Sequence, residues 1–205
     1  MSRLLMTQSL LSSWNYLFSC REESCDNAFD EFMQTLNRIP SVPNEAMLDG
    51  IEFEDEVYKV ISGSPRKPHE KWENGIQLVA AKLRGAPTQV VTQQEIDIMG
   101  YPLLLYGKLD AVKAGTIYDV KKIVKSFGTA ELAGKYLDSP QHPMYLRLVP
   151  EAHDFHYLVS DGIDLYEEVY TRANTSPIEV MIQEFLVSIE TMGLMPIYQE
   201  KWGSK

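Results

Sequence analysis

Two aspartates and a lysine stand close together in GKLDAVKAGTIYDVKK, a stretch whose residue types suit metal-assisted chemistry. Asp110 lies in one predicted strand, and Asp119 and Lys121 lie in the next. Because side chains alternate between the faces of a strand, Asp119 and Lys121 share a face while Val120 points into apolar packing. A tight hairpin at 113–115 brings Asp110 toward Asp119. The spacing therefore predicts two carboxylates and one ammonium on a small patch.

This combination of groups favours phosphoryl chemistry. Two ionised carboxylates repel each other, and a divalent cation removes that cost. Mg²⁺ prefers oxygen ligands and keeps several waters, so two or three carboxylates plus a substrate phosphate suit it. Such a metal can generate a hydroxide-like nucleophile and stabilise charge on a phosphoryl group. Lys121 would orient the attacking water, help to deprotonate it, or neutralise the developing charge.

The same residues also fit a simpler interpretation, because D-x-K is a common pattern and both groups could lie on an exposed strand edge. The neighbouring residues argue for central strands instead. LLLYG precedes Asp110 and TIY precedes Asp119, and both segments are strongly apolar. A carboxylate in such a setting needs a partner or a metal.

The elements that would hold this patch begin with a helical part, residues 1–85. Helical periodicity predicts four helices here: one capped by Thr7 or Ser9, then 27–38, about 49–61 and 70–84.

The remaining chain is predicted as a sheet core at 86–170 followed by a helix at 176–193. The core contains three strands within 87–121, a helix over 129–149 interrupted near Ser139-Pro140, and two strands joined at Asp161-Gly162. Ser176-Pro177 opens the last helix and Gly193 ends it. This order predicts an α/β fold with a mixed central sheet flanked by helices. The length of 205 residues favours one domain over 1–205.

The charge balance argues against a non-specific nucleic-acid binder. The chain has 29 acids against 19 bases, a net charge of −10, whereas such binders are usually basic. A bound cation would reverse the local sign at the acidic patch. Two groups of bases could line a substrate path or form ordinary solvated faces: Lys121, Lys122, Lys125, Lys135 and Arg147, and separately Arg66, Lys67, Lys71, Lys82 and Arg84.

No apolar run reaches the roughly 20 residues that span a bilayer. The N-terminal segment also lacks the basic start and cleavage site of a signal peptide. We therefore predict a cytoplasmic protein with no membrane partner.

Four motifs follow one another in the sequence, and the resemblance that they carry covers roughly residues 9–160. They are Gly50 to Glu54 as G-x-x-x-E, Gly107 to Asp110 as G-x-x-D, Asp119-Val120-Lys121 as D-x-K, and Gln141 to Tyr145 as Q-x-x-x-Y. This set resembles the PD-(D/E)XK nuclease superfamily, in its RecB-like and phage (lambda-type) exonuclease branch. The segment with Ser12, Ser13 and Cys20 is also similar to the opening helix of that branch.

The resemblance implies a restriction-endonuclease-like core and a set of roles. The metal, Mg²⁺ or Mn²⁺, would be held by Glu54, Asp110, Asp119 and the main-chain carbonyl of Val120. Lys121 would position or activate the attacking water, and Gln141 with Tyr145 would orient Lys121, the water or the phosphate. The substrate would be double- or single-stranded DNA, cleaved by an exonuclease of phage or prophage recombination or repair type. A homo-oligomer or a recombination partner protein is a further implication.

Several alternatives stay open at this level. Glu52, Asp55 and Glu56 compete with Glu54, since a run of acids is usually a solvated helix face. Lys122 competes with Lys121, although alternation turns it away from Asp119.

Gln141 and Tyr145 could instead be a capping residue and a core residue. Pro143 between them requires a helix that begins near Ser139. His142, His153 and His156 invite a metal interpretation, but the last two stand at a strand start, where an ordinary structural role is favoured.

Two other functions fit the same residues. One is a non-catalytic nucleic-acid-binding or assembly protein that keeps the fold, since fold does not determine function. The other is a metal-dependent phosphoesterase acting on a small nucleotide. A catalytically inactive site is disfavoured because the full set of motif residues is present: Asp110, Asp119, Lys121, Gln141 and Tyr145.

Overall fold

The computed structural model describes residues 3–20, 27–128 and 132–203. Within these ranges a six-stranded mixed sheet is flanked by helices on both faces, as predicted. The strands are β1 (Leu4–Thr7), β2 (Thr88–Ile98), β3 (Tyr101–Lys113), β4 (Thr116–Lys122), β5 (Asp154–Ser160) and β6 (Leu165–Thr171). The helices are α1 (Gln8–Ser19), α2 (Ala28–Leu36), α3 (Glu45–Ser62), α4 (Glu73–Leu83), α5 (Gln141–Leu148), α6 (Ile178–Thr191) and α7 (Met195–Trp202).

The predicted meander is confirmed as β2, β3 and β4, joined by two tight turns. Met99-Gly100 and Ala114-Gly115 occupy these turns, and all four residues have positive φ, as two-residue hairpins with a matching twist require. Both connections are antiparallel, whereas β1 pairs with β3 and β5 with β4 in parallel.

β3 is the central strand, and its two edges are used differently. β2 pairs along almost the whole of one edge. The other edge is shared, with β1 against 103–106 and β4 against 111–113. Residues 107–110 therefore face a gap between β1 and β4, which we call the fork.

Each face of the sheet has its own hydrophobic core. The larger core packs α1, α2, α5, α6 and α7 against one face, with Leu10, Phe32, Leu105 and Phe185 fully buried. The smaller core packs α3 and α4 against the other face, around Phe53, Val57, Ile76, Val120 and Leu158. Val120 thus points into apolar packing as its register predicted.

The helical N-terminal part is confirmed in outline. Thr7 caps α1 by accepting a hydrogen bond from the Leu10 amide at 3.3 Å. α3 begins earlier than predicted because the Asn44 side chain accepts from the Met47 amide at 2.9 Å and caps it there. The prediction missed β1, a four-residue strand that is stabilised by long-range pairing with β3 rather than by local pattern.

The helix predicted over 129–149 is wrong over residues 132–138. Residues 133–138 form turns and only α5 is helical, while 129–131 lie outside the described residues. Gly134 has a φ of +74°, and a residue before proline, here Ser139, disfavours helix.

The last predicted helix is confirmed as α6, with Pro177 at the N-cap instead of Ser176. The stop at Gly193 is confirmed by its φ of +70° and by the Leu194 amide donating to the Ile189 carbonyl at 2.8 Å. α7, which follows directly, was not predicted.

No single helix in the described residues is long and apolar enough to cross a membrane. α6 and α7 together pass a test of length and composition, but they are bent at 117°. Ile182, Phe185 and Tyr198 on these helices are buried in the larger core.

Candidate active site

The predicted site residues lie at the fork. The β3–β4 register ends with Ala111 opposite Tyr118, and its continuation places Asp110 opposite Asp119. From Asp119 to Lys122, β4 is paired with β5. The edge of β4 that faces β3 is therefore open at the residues singled out from the sequence.

Side chains satisfy two of the main-chain groups at the fork. Asp110 Oδ2 accepts a hydrogen bond from the Val120 amide at 2.8 Å. The Tyr145 hydroxyl donates to the Lys108 carbonyl at 3.1 Å. Since both main-chain groups of a strand residue point to the same neighbour, the Val120 carbonyl also faces the fork, as a metal-binding role requires.

Asp119 and Lys121 form an ion pair, with Lys121 Nζ 2.7 Å from Asp119 Oδ2. The Gln141 side-chain amide donates to the other oxygen, Oδ1. Asp119 is only 3% exposed, whereas 33% of the Lys121 side chain is exposed. The carboxylate is therefore fixed from two sides, and its lysine partner remains accessible from outside.

The electrostatics of the fork follow from this crowding. Burial, together with the negative charges of Asp119 and Glu54, raises the pKa of Asp110 well above its usual range. The hydrogen bond from the Val120 amide and the positive charge of Lys121 act to lower this pKa but are outweighed. Burial disfavours the charged form of Lys121, but Asp119 and Asp110 outweigh it and raise the pKa of the ammonium. Such a concentration of negative charge attracts a cation.

α5 positions its two polar residues through close packing on β3. Pro140 is the N-cap and Pro143 lies in the first turn, where proline is tolerated, so the condition predicted for this helix holds. A Cβ on Gly107 would lie 2.8 Å from both Tyr145 Cε1 and Leu148 Cδ1. Glycine at 107 therefore allows α5 to approach the strand, and the G-x-x-D motif has a steric cause.

On the opposite side of the sheet, α3 brings Glu54 to the fork. Its Oε1 accepts from the Tyr58 hydroxyl at 2.7 Å and from Gln89 Nε2 at 3.0 Å. A Cβ added to Gly50, four residues earlier, would meet no atom within 4 Å, so packing does not explain the glycine of that motif.

The rivals of Glu54 point elsewhere. Glu56 is paired with Lys59 and Arg66. Glu52 lies 3.5 Å from His69, and Asp55 is exposed. Of these acids, Glu54 is the one whose charge acts on Asp110.

Sequence reasoning missed three residues near the fork. Two are Tyr58 and Gln89. The third is Tyr136, whose ring stacks on Tyr157 with centroids 4.2 Å apart. Burial raises the pKa of Tyr136 to about 12, and Lys121 and Asp119 also act on it. Tyr58 stands one turn after Glu54 on a helix, a signal that could have found it; Gln89 and Tyr136 have no such signal.

The remaining candidates lie away from the fork. Lys122 donates to the Ile123 carbonyl at 2.6 Å and lies over the Trp72 ring, so alternation correctly separates it from Lys121. His142 is buried and stacks on Tyr170 at 4.0 Å, and His156 pairs with Glu167.

Besides Lys121, which is paired with Asp119, three bases proposed for a substrate path are in ion pairs, which argues against that role. They are Arg66 with Glu73, Lys82 with Glu167, and Arg147 with Glu179.

The donors at the fork fit a hard divalent cation that keeps part of its water. Asp110 and Asp119 offer carboxylate oxygens from adjacent strands, and the Val120 carbonyl faces the same space. Among the described residues, no three His, Cys, Asp or Glu side chains gather into a ready-made metal cage. Two carboxylates, a carbonyl, water and a substrate phosphate match the way Mg²⁺ is bound in many sites.

Comparison with solved structures supports the fold. The structure of the exonuclease LHK-Exo in complex with dAMP matches with a TM-score of 0.51 and 14% identity, over 95% of this chain and 92% of that one. SSO0001 matches with a TM-score of 0.49 and 17% identity, over 94% and 77% of the two chains. No family model and no curated protein matches the sequence. At 14% identity the likeness to LHK-Exo concerns the fold alone.

Proposed function

We propose that the chain is a divalent-metal-dependent nuclease that hydrolyses phosphodiester bonds in DNA. The observation that carries this proposal is the fork itself. There the buried Asp119 is held by Gln141 and Lys121, next to the Val120 amide that donates to Asp110. A purely structural site gains little from two neighbouring acids at a break in a sheet, because they repel each other.

In this proposal Asp110, Asp119 and the Val120 carbonyl bind Mg²⁺ or Mn²⁺, with Glu54 as a further ligand from α3. The ion would supply charge neutralisation at the phosphoryl oxygens and a more acidic bound water. The Lys121 ammonium, which is partly exposed, donates hydrogen bonds to the attacking water or a phosphate oxygen. Gln141 fixes the Asp119 carboxylate, and Tyr145 fixes the β3 main chain at Lys108.

The finer assignment is an exonuclease of phage or prophage recombination or repair type, acting in the cytoplasm as a single domain. The fold shared with LHK-Exo, solved with dAMP, supports a nucleotide-containing substrate. The net charge of −10 and the ion-paired bases imply weak DNA binding. A homo-oligomer or a recombination partner protein would compensate for that weakness.

The test is cleavage of linear and circular DNA, single- and double-stranded, with Mg²⁺ or Mn²⁺. Lys121→Met and Asp119→Asn should each lower the cleavage rate on the order of 100- to 1,000-fold. Lys122→Met and Asp97→Asn are matched controls: they make the same changes at a lysine turned away from the fork and at a turn aspartate that accepts from the Gly100 amide. Both controls should cleave like wild type.

Each outcome decides something. Wild-type protein that binds DNA without cleaving any substrate in either metal is a binding or assembly protein, and the nuclease proposal fails. Cleavage that survives both substitutions moves the site away from the fork. Cleavage of linear but not circular DNA establishes the exonuclease assignment.

A further inference from the structure

Glu54 is held by a pair of hydrogen-bond donors that converge on a single oxygen. The Tyr58 hydroxyl and Gln89 Nε2 both donate to Oε1, at 2.7 and 3.0 Å. Gln89 Nε2 also lies 2.7 Å from the Tyr58 hydroxyl oxygen, so the three side chains form a closed triangle. Because both donors end on Oε1, the second oxygen, Oε2, is left for water or a cation.

The backbone of Gln89 is unusual for the position that it occupies. Gln89 lies between the pairs Thr88–Ala111 and Val90–Leu109 of the β2–β3 ladder, across from Asp110. Its φ is +55°, a left-handed conformation that a residue with a Cβ adopts at a cost. Strain of this kind persists where the surrounding structure requires it and is concentrated at functional sites.

The left-handed residue explains why the amide reaches α3. In a regular strand, successive side chains point to opposite faces of the sheet, so the side chain at 89 would point to the face opposite that of residues 88 and 90. The turned backbone instead lets Gln89 contact Glu54, 35 residues earlier in the chain.

We propose that Tyr58 and Gln89 are positioning residues that hold the Glu54 carboxylate with Oε2 directed to the metal at the fork. The inference rests on the proposed nuclease function and adds a part of the site that the sequence motifs do not contain. Metal ligands are commonly oriented by such hydrogen-bonded partners, and loss of one partner weakens metal binding by roughly 10- to 100-fold.

A structural latch between α3 and β2 is the competing explanation, and the two predict different results. A latch would lower stability when it is broken and leave metal binding unchanged. The three side chains are only partly buried, so a latch made of them would contribute little. A positioning pair would lower the affinity for metal while stability changes little.

The first experiment measures Mn²⁺ binding to the whole chain by the loss of the free-ion EPR signal, without DNA. Tyr58→Phe and Gln89→Met each remove one donor and should each weaken Mn²⁺ binding by about tenfold. Tyr198→Phe is the matched control, because its hydroxyl donates to the Leu5 carbonyl at 3.0 Å, away from the fork. It should lower stability and leave Mn²⁺ binding at the wild-type value.

The second experiment separates strain from position. Gln89→Gly removes both the amide and the backbone strain, so it should raise the melting temperature and weaken Mn²⁺ binding together. Met99→Gly removes strain from a residue with a φ of +57° in the β2–β3 turn. It should raise the melting temperature with no change in Mn²⁺ binding.

A third set of variants tests whether the pair acts through Glu54. In a Glu54→Ala background, adding Tyr58→Phe or Gln89→Met should cause no further loss of Mn²⁺ affinity. Wild-type affinity in both single variants, or a full further loss in the Glu54→Ala background, would overturn the inference. Failure of the wild type to bind Mn²⁺ or cleave DNA would instead overturn the proposed function.

Discussion

The two sides of the sheet contribute to the fork in different ways. On the α5 side, Gln141 and Tyr145 are 7% and 6% exposed and belong to the larger core or its border. On the α3 side, Glu54, Tyr58 and Gln89 are only partly buried and lie beside the smaller core. One side is fixed by packing, and the other by a few hydrogen bonds near water.

Because of this difference, the carboxylates on the two sides are held with different rigidity. A buried hydrogen bond to a carboxylate is costly to break, because the charged group cannot turn to water instead. Asp119 is therefore held in one position. Glu54 is only partly buried, so its carboxylate can exchange a hydrogen-bond partner for water at lower cost than Asp119 can.

The largest expected effect comes from breaking the buried side. Gln141→Leu leaves Asp119 Oδ1 without its donor and should lower the cleavage rate by up to about 100-fold at saturating Mn²⁺. Single-turnover kinetics would measure it. If the loss is smaller than that of Gln89→Met at the same Mn²⁺ concentration, the assignment of the rigid role to the α5 side is wrong.

A second test uses pH on the same side. Burial lowers the pKa of His142 from 6.5 to about 4. Between these values the unfolded chain binds a proton that the folded chain does not, so the free energy of unfolding falls as pH drops from about 6.5 toward 4. The loss should reach up to about 3 kcal/mol.

Urea titrations of wild type and His142→Phe at several pH values would check this prediction. Phenylalanine keeps a ring against Tyr170, whose stack with His142 has centroids 4.0 Å apart, and removes the titrating group. The free energy of unfolding of wild type should fall relative to that of His142→Phe as the pH drops. A difference that stays constant from pH 7 to 4.5 would rule out this contribution of His142, and His153→Phe at an exposed position serves as control.

A third prediction concerns the close approach of α5 to β3, which a substitution of Gly107 would disturb. Gly107→Ala places a methyl group 2.8 Å from Tyr145 and Leu148, which forces the helix outward. Overpacking of this kind costs about 1–3 kcal/mol, and it should also separate Gln141 from Asp119. Unchanged unfolding and unchanged cleavage in this variant would show that the helix accommodates the methyl group.

The smallest effect is expected from the matching glycine on the α3 side. Gly50→Ala meets no atom within 4 Å and lies within a helix, so it should raise the free energy of unfolding by up to about 1 kcal/mol. Mn²⁺ affinity should stay at the wild-type value. A clear loss of Mn²⁺ affinity would reveal a role for Gly50 that packing does not explain.

Much of the fold could be predicted because its signals are local. The meander was visible from alternation and from Ala114-Gly115, and the end of α6 from Gly193. β1 and α7 were missed for physical reasons. β1 has four residues and depends on pairing with β3. α7 begins two residues after the stop at Gly193, where the pattern predicts only an end.

The site residues likewise divide into those with a local sequence signal and those without one. Asp119 and Lys121 follow from strand register, and their ion pair confirms that they share a face. Gln89 could not be predicted, since its contact with Glu54 depends on a left-handed backbone inside a strand. Tyr136 lies within the turns of residues 133–138, where the sequence pattern predicted helix. The catalytic and metal-binding roles stay predictions until variants are measured.

The hydrogen bond from the Val120 amide to Asp110 couples the two strands of the fork in a way that can be observed directly. If β3 and β4 move apart, this bond breaks and the two proposed ligands separate in the same event. The Val120 amide proton then becomes exchangeable with solvent. Its hydrogen–deuterium exchange rate is therefore a built-in reporter of how often the fork opens, and a bound cation should slow that exchange.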